Sequence, residues 1–205
     1  MDQGTVTQNR GFAVAVAMLL LTGGQLAVAT FVPGLEQFEG KAFGARLAAY
    51  PVMMLALPLI WRYAAGRPLP WNAFAWIMSP FLIDVTGNTF DLYDSVSWWD
   101  DANHFVNWFL LAMGCGLLLN RASVTSRWLL SLAIAGLGAL LAIGWELGEW
   151  YTFIRQGTEL GTAYTDTLAD EALGCLGAAL AAVLIALRGS QNPADLGAKK
   201  SSADR

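Results

Sequence analysis

The chain has 205 residues, of which 56% are hydrophobic and only 14% are charged, against about 25% charged residues in an average soluble domain. This composition excludes a soluble protein with one membrane anchor and indicates a polytopic membrane domain. The net charge of −4 identifies no partner. Because the sequence contains no basic patch, glycine-rich phosphate loop or aromatic nucleic-acid motif, we expect no nucleic-acid partner.

Six apolar segments follow one another along the chain, and most approach or exceed the roughly 20 residues needed to cross a bilayer. They predict an all-α fold, a polytopic membrane helical bundle with six transmembrane helices at about 11–31, 43–64, 71–91, 101–120, 127–150 and 167–188. Residues 1–190 would form a single transmembrane domain, and the polar residues 191–205 would form a disordered cytoplasmic tail. The first segment is longer than the roughly 7–15 apolar residues of a cleaved signal peptide, so we expect it to be retained.

The positions of lysine and arginine predict how the chain is oriented. With the N-terminus inside, the outer side receives only Lys41, Arg46 and Arg155. The cytoplasmic side then receives Arg10, Arg62, Arg67, Arg121, Arg127, Arg188, Lys199, Lys200 and Arg205. Because the cytoplasmic loops of membrane proteins carry an excess of basic residues, we expect both termini to be cytoplasmic.

In this topology, acidic residues from four helix ends fall at one level in the outer leaflet. They are Asp84 and the polar Asn88 on the third helix, Asp100 with His104 on the fourth, Glu146 and Glu149 on the fifth, and Asp166 and Asp170 on the sixth. Each pair has a spacing of three or four residues, which places both members on one face of a helix. Small residues, such as Gly144 and Gly148 on the fifth helix and Gly174 and Gly177 on the sixth, predict close helix packing, which would bring the acids together.

Ionisable side chains within membrane segments are costly, and such a cluster therefore suggests a functional site. Carboxylates with one imidazole suit Mg²⁺, Ca²⁺ or Mn²⁺ and can also hold Zn²⁺ or Fe²⁺, so we expect a divalent metal ion of unknown identity. The predicted metal ligands are Asp100, His104, Glu146 and Asp170. The predicted surrounding residues, or alternative ligands, are Asp84, Asn88, Glu149 and Asp166.

The predicted catalytic residues are His104, Asp100 and Glu146. A metal here would activate water or polarise a phosphoryl or acyl oxygen, as in a metal-dependent hydrolase or transferase. Without metal, His104 held by Asp100 could act as a general base. Simpler interpretations stay open: the histidine only hydrogen-bonds its neighbour, Asp100 and Asp166 are helix N-caps, and Glu149 is solvated near the lipid headgroups.

Several short motifs resemble those of a known family. They are Asp84-Val-Thr-Gly-Asn88, Leu92-Tyr93-Asp94, Trp99-Asp100-x-x-x-His104-Phe105, Trp145-Glu146-x-x-Glu149-Trp150 and Asp166…Asp170 with Gly177-Ala178. Their order is similar to that in YjdF-type bacterial inner-membrane proteins and, more distantly, in VanZ-like proteins, which carry an Asp-Lys-x-x-His-Phe motif. Asp101 stands where those families often have lysine, so a built-in cation is missing at that point. The resemblance implies a multi-pass protein of the bacterial inner (cytoplasmic) membrane.

The VanZ-like proteins are associated with glycopeptide (teicoplanin) resistance and the cell envelope. Our leading hypothesis is therefore an inner-membrane protein whose acidic site faces the periplasm and acts on a lipid-linked or envelope substrate, with membrane lipid as its partner. One alternative is an accessory subunit that binds other membrane-protein subunits in a larger complex. A second is a proton- or cation-coupled transporter.

Overall fold

A computed structural model describes residues 3–66, 68–121 and 126–188 of the chain. All regular structure in these residues is helical, which confirms the all-α class. The seven α-helices in the described ranges are α1 (Gln3–Phe31), α2 (Phe43–Ile60), α3 (Trp71–Thr89), α4 (Leu92–Ser95), α5 (Trp99–Arg121), α6 (Arg127–Thr152) and α7 (Ala163–Leu187). The predicted tail 191–205, with its basic residues, lies outside the described residues, as does Arg67.

Five helical segments are long and apolar enough to cross a membrane: Val6–Phe31, Phe43–Ala65, Trp99–Arg121, Arg127–Thr152 and Ala163–Leu187. The second of these joins α2 to a π-helix at Trp61–Ala65. Helix α3, predicted as a sixth span, does not reach the same mean hydropathy, because Asn72, Asp84 and Asn88 fall within its 19 residues. Five spans are therefore supported, while the sixth span and the cytoplasmic termini stay predictions.

Helices α1 and α3 run side by side in the same direction. Near their starts, the backbone of Gly11 lies so close to Asn72 that an added Cβ would stand 2.8 Å from the Asn72 nitrogen. Further along both helices, Gln25 Nε2 donates a hydrogen bond of 3.2 Å to Thr86 Oγ1. Helix α3 is thus enclosed between α1 and α5, which suits its low hydropathy.

Helices α5 and α7 form a second parallel pair, held together by glycine. A Cβ on Gly174 would stand 2.6 Å from Trp108 Cδ1, and one on Gly177 would overlap the carbonyl oxygen of Phe105. These two glycines give the close packing that the small-residue pattern predicts. Gly144 and Gly148 on α6, which carry the same pattern, have no atom within 4 Å of an added Cβ.

The buried charged side chains lie at one end of the bundle, which we call the carboxylate end. It is formed by the start of α2, the end of α3, the start of α5, the end of α6 and the start of α7. The buried polar and charged residues that these segments contribute are Asp84, Asn88, Asn103, His104, Glu146 and Asp170. Two apolar clusters fill the rest of the interior, one centred on α1 to α3 and one on α5 to α7.

Candidate functional site

The imidazole of His104 lies at the centre of the carboxylate end. His104 is in the second turn of α5 and is only 8% exposed. Its Nε2 atom is 3.6 Å from Asp100 Oδ1 and 3.7 Å from Asp170 Oδ1. Its Nδ1 atom is 3.8 Å from Glu146 Oε1. The ring is therefore surrounded by carboxylates from α5, α6 and α7.

These distances are longer than hydrogen bonds, which join nitrogen and oxygen at about 2.7–3.2 Å. They match the separation of two donor atoms that share one ion. Donors at about 2.0–2.2 Å from a tetrahedral metal ion lie roughly 3.3–3.6 Å apart. The 3.6 and 3.7 Å separations of His104 Nε2 from Asp100 and Asp170 are thus compatible with a metal site that needs little rearrangement.

The four predicted ligands are brought together, but they do not meet at one point. Asp100 and Asp170 lie on the Nε2 side of His104, whereas Glu146 lies on the Nδ1 side. Among the described residues, two groups have ligand atoms within 4.8 Å of one another: Asp100–His104–Asp170 and His104–Glu146–Glu149. A neutral imidazole has one lone pair and one N–H, so only one of the two sides can receive a metal while the other donates a hydrogen bond.

Glu146 has one satisfied and one unsatisfied carboxylate oxygen. Its Oε2 atom accepts a hydrogen bond of 3.1 Å from Thr167 Oγ1 on α7. Its Oε1 atom, which faces His104, is buried and has no hydrogen-bond partner. Leaving such an oxygen unpaired costs about 1–3 kcal/mol, and more for a charged group. A small shift of the ring would let Nδ1–H donate to this oxygen, as metal-bound histidines commonly do to a carboxylate.

Asp84 belongs to a separate hydrogen-bonded cluster at the same end. Its carboxylate accepts from Arg46 Nη1 at 2.8 and 3.1 Å, from Tyr50 OH at 2.5 Å and from Tyr93 OH at 2.9 Å. Asn88, one turn further along α3, donates to the Asp84 main-chain oxygen at 3.1 Å. Asp84 and Asn88 were predicted to surround the metal, but Asp84 contacts Arg46 and the two tyrosines, and Asn88 contacts Asp84.

Arg46 is the cation of this cluster and offsets the charge of Asp84. It comes from the first turn of α2, and its side chain is 12% exposed. The guanidinium lies 5.4 Å from the ring of Phe43 and 5.8 Å from that of Phe153. Its Nη2 atom contacts Glu149 Oε1 at 3.5 Å. Glu149 therefore connects the Arg46–Asp84 cluster to the carboxylates around His104.

A chain of hydrogen bonds leads from Asp84 to the helix that carries His104. Tyr93 in α4 donates to Asp84 and accepts a bond of 2.5 Å from Asn103 Nδ2. Asn107 Nδ2 donates to Asn103 Oδ1 at 2.9 Å. Burial, followed by the negative charge of Asp84, raises the pKa of Tyr93 well above its usual range. The phenol therefore stays protonated near neutral pH and holds Asp84 in place.

The remaining predicted site residue, Asp166, is exposed on α7, whereas Asp170 one turn further on is buried. The N-cap of α7 is Thr162, so Asp166 does not cap this helix. Asp100 lies inside α5, which begins at Trp99, so it is not an N-cap either. The N-cap interpretations of both aspartates are wrong.

Four residues that shape the site were not predicted from the sequence. Tyr50, Tyr93, Asn103 and Thr167 were not among the candidates, and Arg46 was noted only as an outer-side cation. A signal existed for α2, because Arg46 and Tyr50 are four residues apart and share a helix face in an otherwise apolar segment. Tyr93, in the short helix between α3 and α5, carried only the signal of the family-like motif Leu92-Tyr93-Asp94.

Comparison with known protein families matches residues 13–191 to the family described as "Predicted membrane protein (DUF2238)". The chain belongs to this family. The YjdF type is this same family, so that resemblance is confirmed, whereas the VanZ-like similarity is not shown. No curated protein and no solved structure matches the chain. The family description and the five apolar helices of the described residues both indicate a membrane protein. The family description names no reaction.

Proposed function

We propose that this chain is a multi-pass protein of the bacterial inner membrane that binds a divalent metal ion at its carboxylate end. The observation that carries the proposal is the position of the His104 ring. Its Nε2 atom lies at ligand-sharing distances of 3.6 and 3.7 Å from Asp100 and Asp170. An acidic cluster alone would not justify a metal, but Glu146 Oε1 is buried, unpaired and directed at the second ring nitrogen.

The residues would take different roles. Asp100, His104 and Asp170 would be the ligands, and Glu146 would accept the Nδ1–H and fix the orientation of the ring. Three protein ligands leave at least one coordination position open, which is typical of catalytic rather than structural sites. Glu149 is the alternative ligand, on the Nδ1 side. One nitrogen and two carboxylates suit Zn²⁺, Mn²⁺ or Fe²⁺ better than Mg²⁺.

The reaction class that fits best is a metal-dependent hydrolysis or transfer. The chemistry that a divalent ion supplies when bound is an activated water or a polarised phosphoryl or acyl oxygen. Asp100 has a side chain 43% exposed, so the site is accessible from one side. Because the site lies where the helices end, a lipid-linked or envelope substrate could reach it with its headgroup.

The distribution of charge supports a periplasmic position of the carboxylate end. At the opposite end, the described helix termini carry basic residues: Arg10, Arg62, Arg121, Arg127 and Arg188. An excess of basic residues marks the cytoplasmic side. The transporter alternative receives less support, because transporters bind their ions near the midplane and the buried acids here lie towards one end. No contact among the described residues favours the accessory-subunit alternative.

Metal content of the purified protein tests the proposal. We expect about one ion per chain in the wild type after equilibration with Zn²⁺ or Mn²⁺. The substitutions His104→Ala and Asp170→Asn each remove a proposed metal ligand. Loss of a residue that only hydrogen-bonds a ligand lowers metal affinity by about 10–100-fold, so we expect a loss at least that large here. Asp166→Asn is the matched control, because this exposed acid lies one turn from Asp170 and should leave the metal content unchanged. Substoichiometric metal in the wild type, or equal content in all variants, would contradict a metal site.

A further inference from the structure

A long apolar groove runs along the surface between α1, α3 and α5, from Asn72 at the start of α3 to Ile83, the residue before Asp84. Its walls include Val14 and Met18 of α1 and Trp76 and Ile83 of α3. One end of the groove is polar, where Arg10 and Asn72 face each other across the start of the two helices. The rest of the lining is almost entirely apolar, so the groove is charged at one end and apolar along the rest of its length.

The length of the groove corresponds to one leaflet of a bilayer. From Asn72 to Ile83 the wall covers eleven residue steps, or roughly 16 Å at the α-helical rise. The hydrocarbon core of a bilayer is about 30 Å thick, so each leaflet contributes about half of that. A chain that lies in the groove with its polar end at Arg10 would therefore cover one leaflet.

The charged end favours an anionic headgroup. Arg10 is exposed at the end of the groove, where its guanidinium can reach a phosphate. Arg121 from the end of α5 donates a hydrogen bond of 3.4 Å to Asn72 Oδ1, which places a second guanidinium close to the same point. Arginine binds phosphate oxygens through several donors at once, which makes it well suited to this group.

We propose that this groove is a binding site for an anionic glycerophospholipid, with one acyl chain between α1 and α3 and the phosphate at Arg10. The groove is distinct from the proposed metal centre, since none of the proposed metal ligands lines it. A bound lipid would cover the apolar walls of the groove and link the starts of α1, α3 and α5.

Native mass spectrometry of the full-length protein tests the proposal, with phosphatidylglycerol and phosphatidylcholine of identical acyl chains as probes. We expect one phosphatidylglycerol to bind roughly fivefold more tightly than phosphatidylcholine, the ratio that one basic residue contributes near an anionic surface. Arg10→Gln should abolish this preference, and Arg10→Lys should keep most of it. Ala75→Leu places a larger side chain in the groove and should weaken the binding of both lipids.

Arg62→Gln is the matched control, because Arg62 is exposed at the same end of the bundle but does not line the groove. Equal affinity of the wild type for the two lipids would overturn the proposal. An equal loss in Arg62→Gln and Arg10→Gln would also overturn it, since this result would indicate unspecific electrostatic attraction. If Ala75→Leu does not fold, Ser79→Leu on the same wall replaces it, and unchanged lipid binding in the filling variant would place the acyl chain elsewhere.

Discussion

Asp84 shows at the scale of single residues how this protein tolerates a buried charge. An unpaired carboxylate inside a membrane protein would be costly, but here Arg46, Tyr50 and Tyr93 all donate to it. The sequence identified Asp84 as a buried acid and could not identify its partners, because Arg46 is 38 residues away on another helix. Helical spacing predicts which residues share a face, and only tertiary packing decides which faces meet.

The first prediction concerns this ion pair. Asp84→Ala leaves the largely buried Arg46 with only its 3.5 Å contact to Glu149, and we expect a loss of about 3 kcal/mol in the free energy of unfolding. Asp94→Ala is the control, because Asp94 pairs with Lys41 at 2.5 Å but its side chain is 56% exposed. Exposed pairs contribute about 0–1 kcal/mol. Reversible unfolding in mixed detergent measures both variants, and equal losses would show that the Arg46–Asp84 pair is no more important than a surface pair.

The second prediction concerns the phenol of Tyr93. Tyr93→Phe removes the hydroxyl that donates to Asp84 and accepts from Asn103. We therefore expect a loss of about 1–3 kcal/mol in the free energy of unfolding at pH 7. The folded protein raises the pKa of Tyr93 above the ordinary value of 10.0, mainly by burial. Above pH 10 the unfolded state therefore loses the Tyr93 proton before the folded state does, and stability falls with rising pH. This fall should be less steep in Tyr93→Phe, and identical slopes in the two proteins would contradict the assignment.

Close helix packing decides the geometry of the site at the scale of elements. His104 and Asp170 can approach because α5 and α7 touch at Gly177, where the carbonyl oxygen of Phe105 leaves no room for a side chain. The sequence indicated a small-residue face on α7 correctly. It indicated the same on α6, where Gly144 and Gly148 meet nothing, because a row of glycines does not show which of them faces a neighbour.

The third prediction follows from this contact. Gly177→Ala would push α5 and α7 apart, since the obstructing atom belongs to the backbone and cannot rotate away. We expect a loss of about 1–3 kcal/mol in the free energy of unfolding and reduced metal binding at His104. Gly144→Ala is the matched control on α6, where the added methyl group meets no atom and alanine favours the helix by about 1 kcal/mol. Thermal unfolding that ranks the two variants in the opposite order would contradict the packing.

At the scale of the whole molecule, the helical class and the approximate position of each long helix were predictable, because apolar segments of about 20 residues are typical of membrane-spanning helices. The predicted segment 71–91 corresponds to α3, and 167–188 overlaps α7, which begins four residues earlier at Ala163. The sequence did not predict that Asp100 and Asp170 lie on the Nε2 side of the His104 ring whereas Glu146 lies on the Nδ1 side. That arrangement depends on the rotation of α6 and α7 about their axes, which hydropathy does not encode.

The fourth prediction is the orientation of the bundle in the membrane. The test starts from a variant in which the free Cys115 and Cys175 are changed to alanine. A single cysteine is then introduced either at Arg155, an exposed residue between α6 and α7, or at Arg62 at the opposite end of the bundle. A membrane-impermeant maleimide added to intact spheroplasts should label Arg155→Cys and leave Arg62→Cys unlabelled until the membrane is permeabilised. Labelling in the reverse order would place the carboxylate end in the cytoplasm.

The central claim is that His104 binds a divalent metal ion through Nε2 together with Asp100 and Asp170. An anomalous-scattering map from crystals equilibrated with Mn²⁺ tests it most directly. We predict one peak at about 2.0–2.3 Å from His104 Nε2 and from one carboxylate oxygen of each aspartate. Glu146 should then accept a hydrogen bond from Nδ1. The absence of a peak beside His104, or a peak on the Nδ1 side between Glu146 and Glu149, would contradict the account.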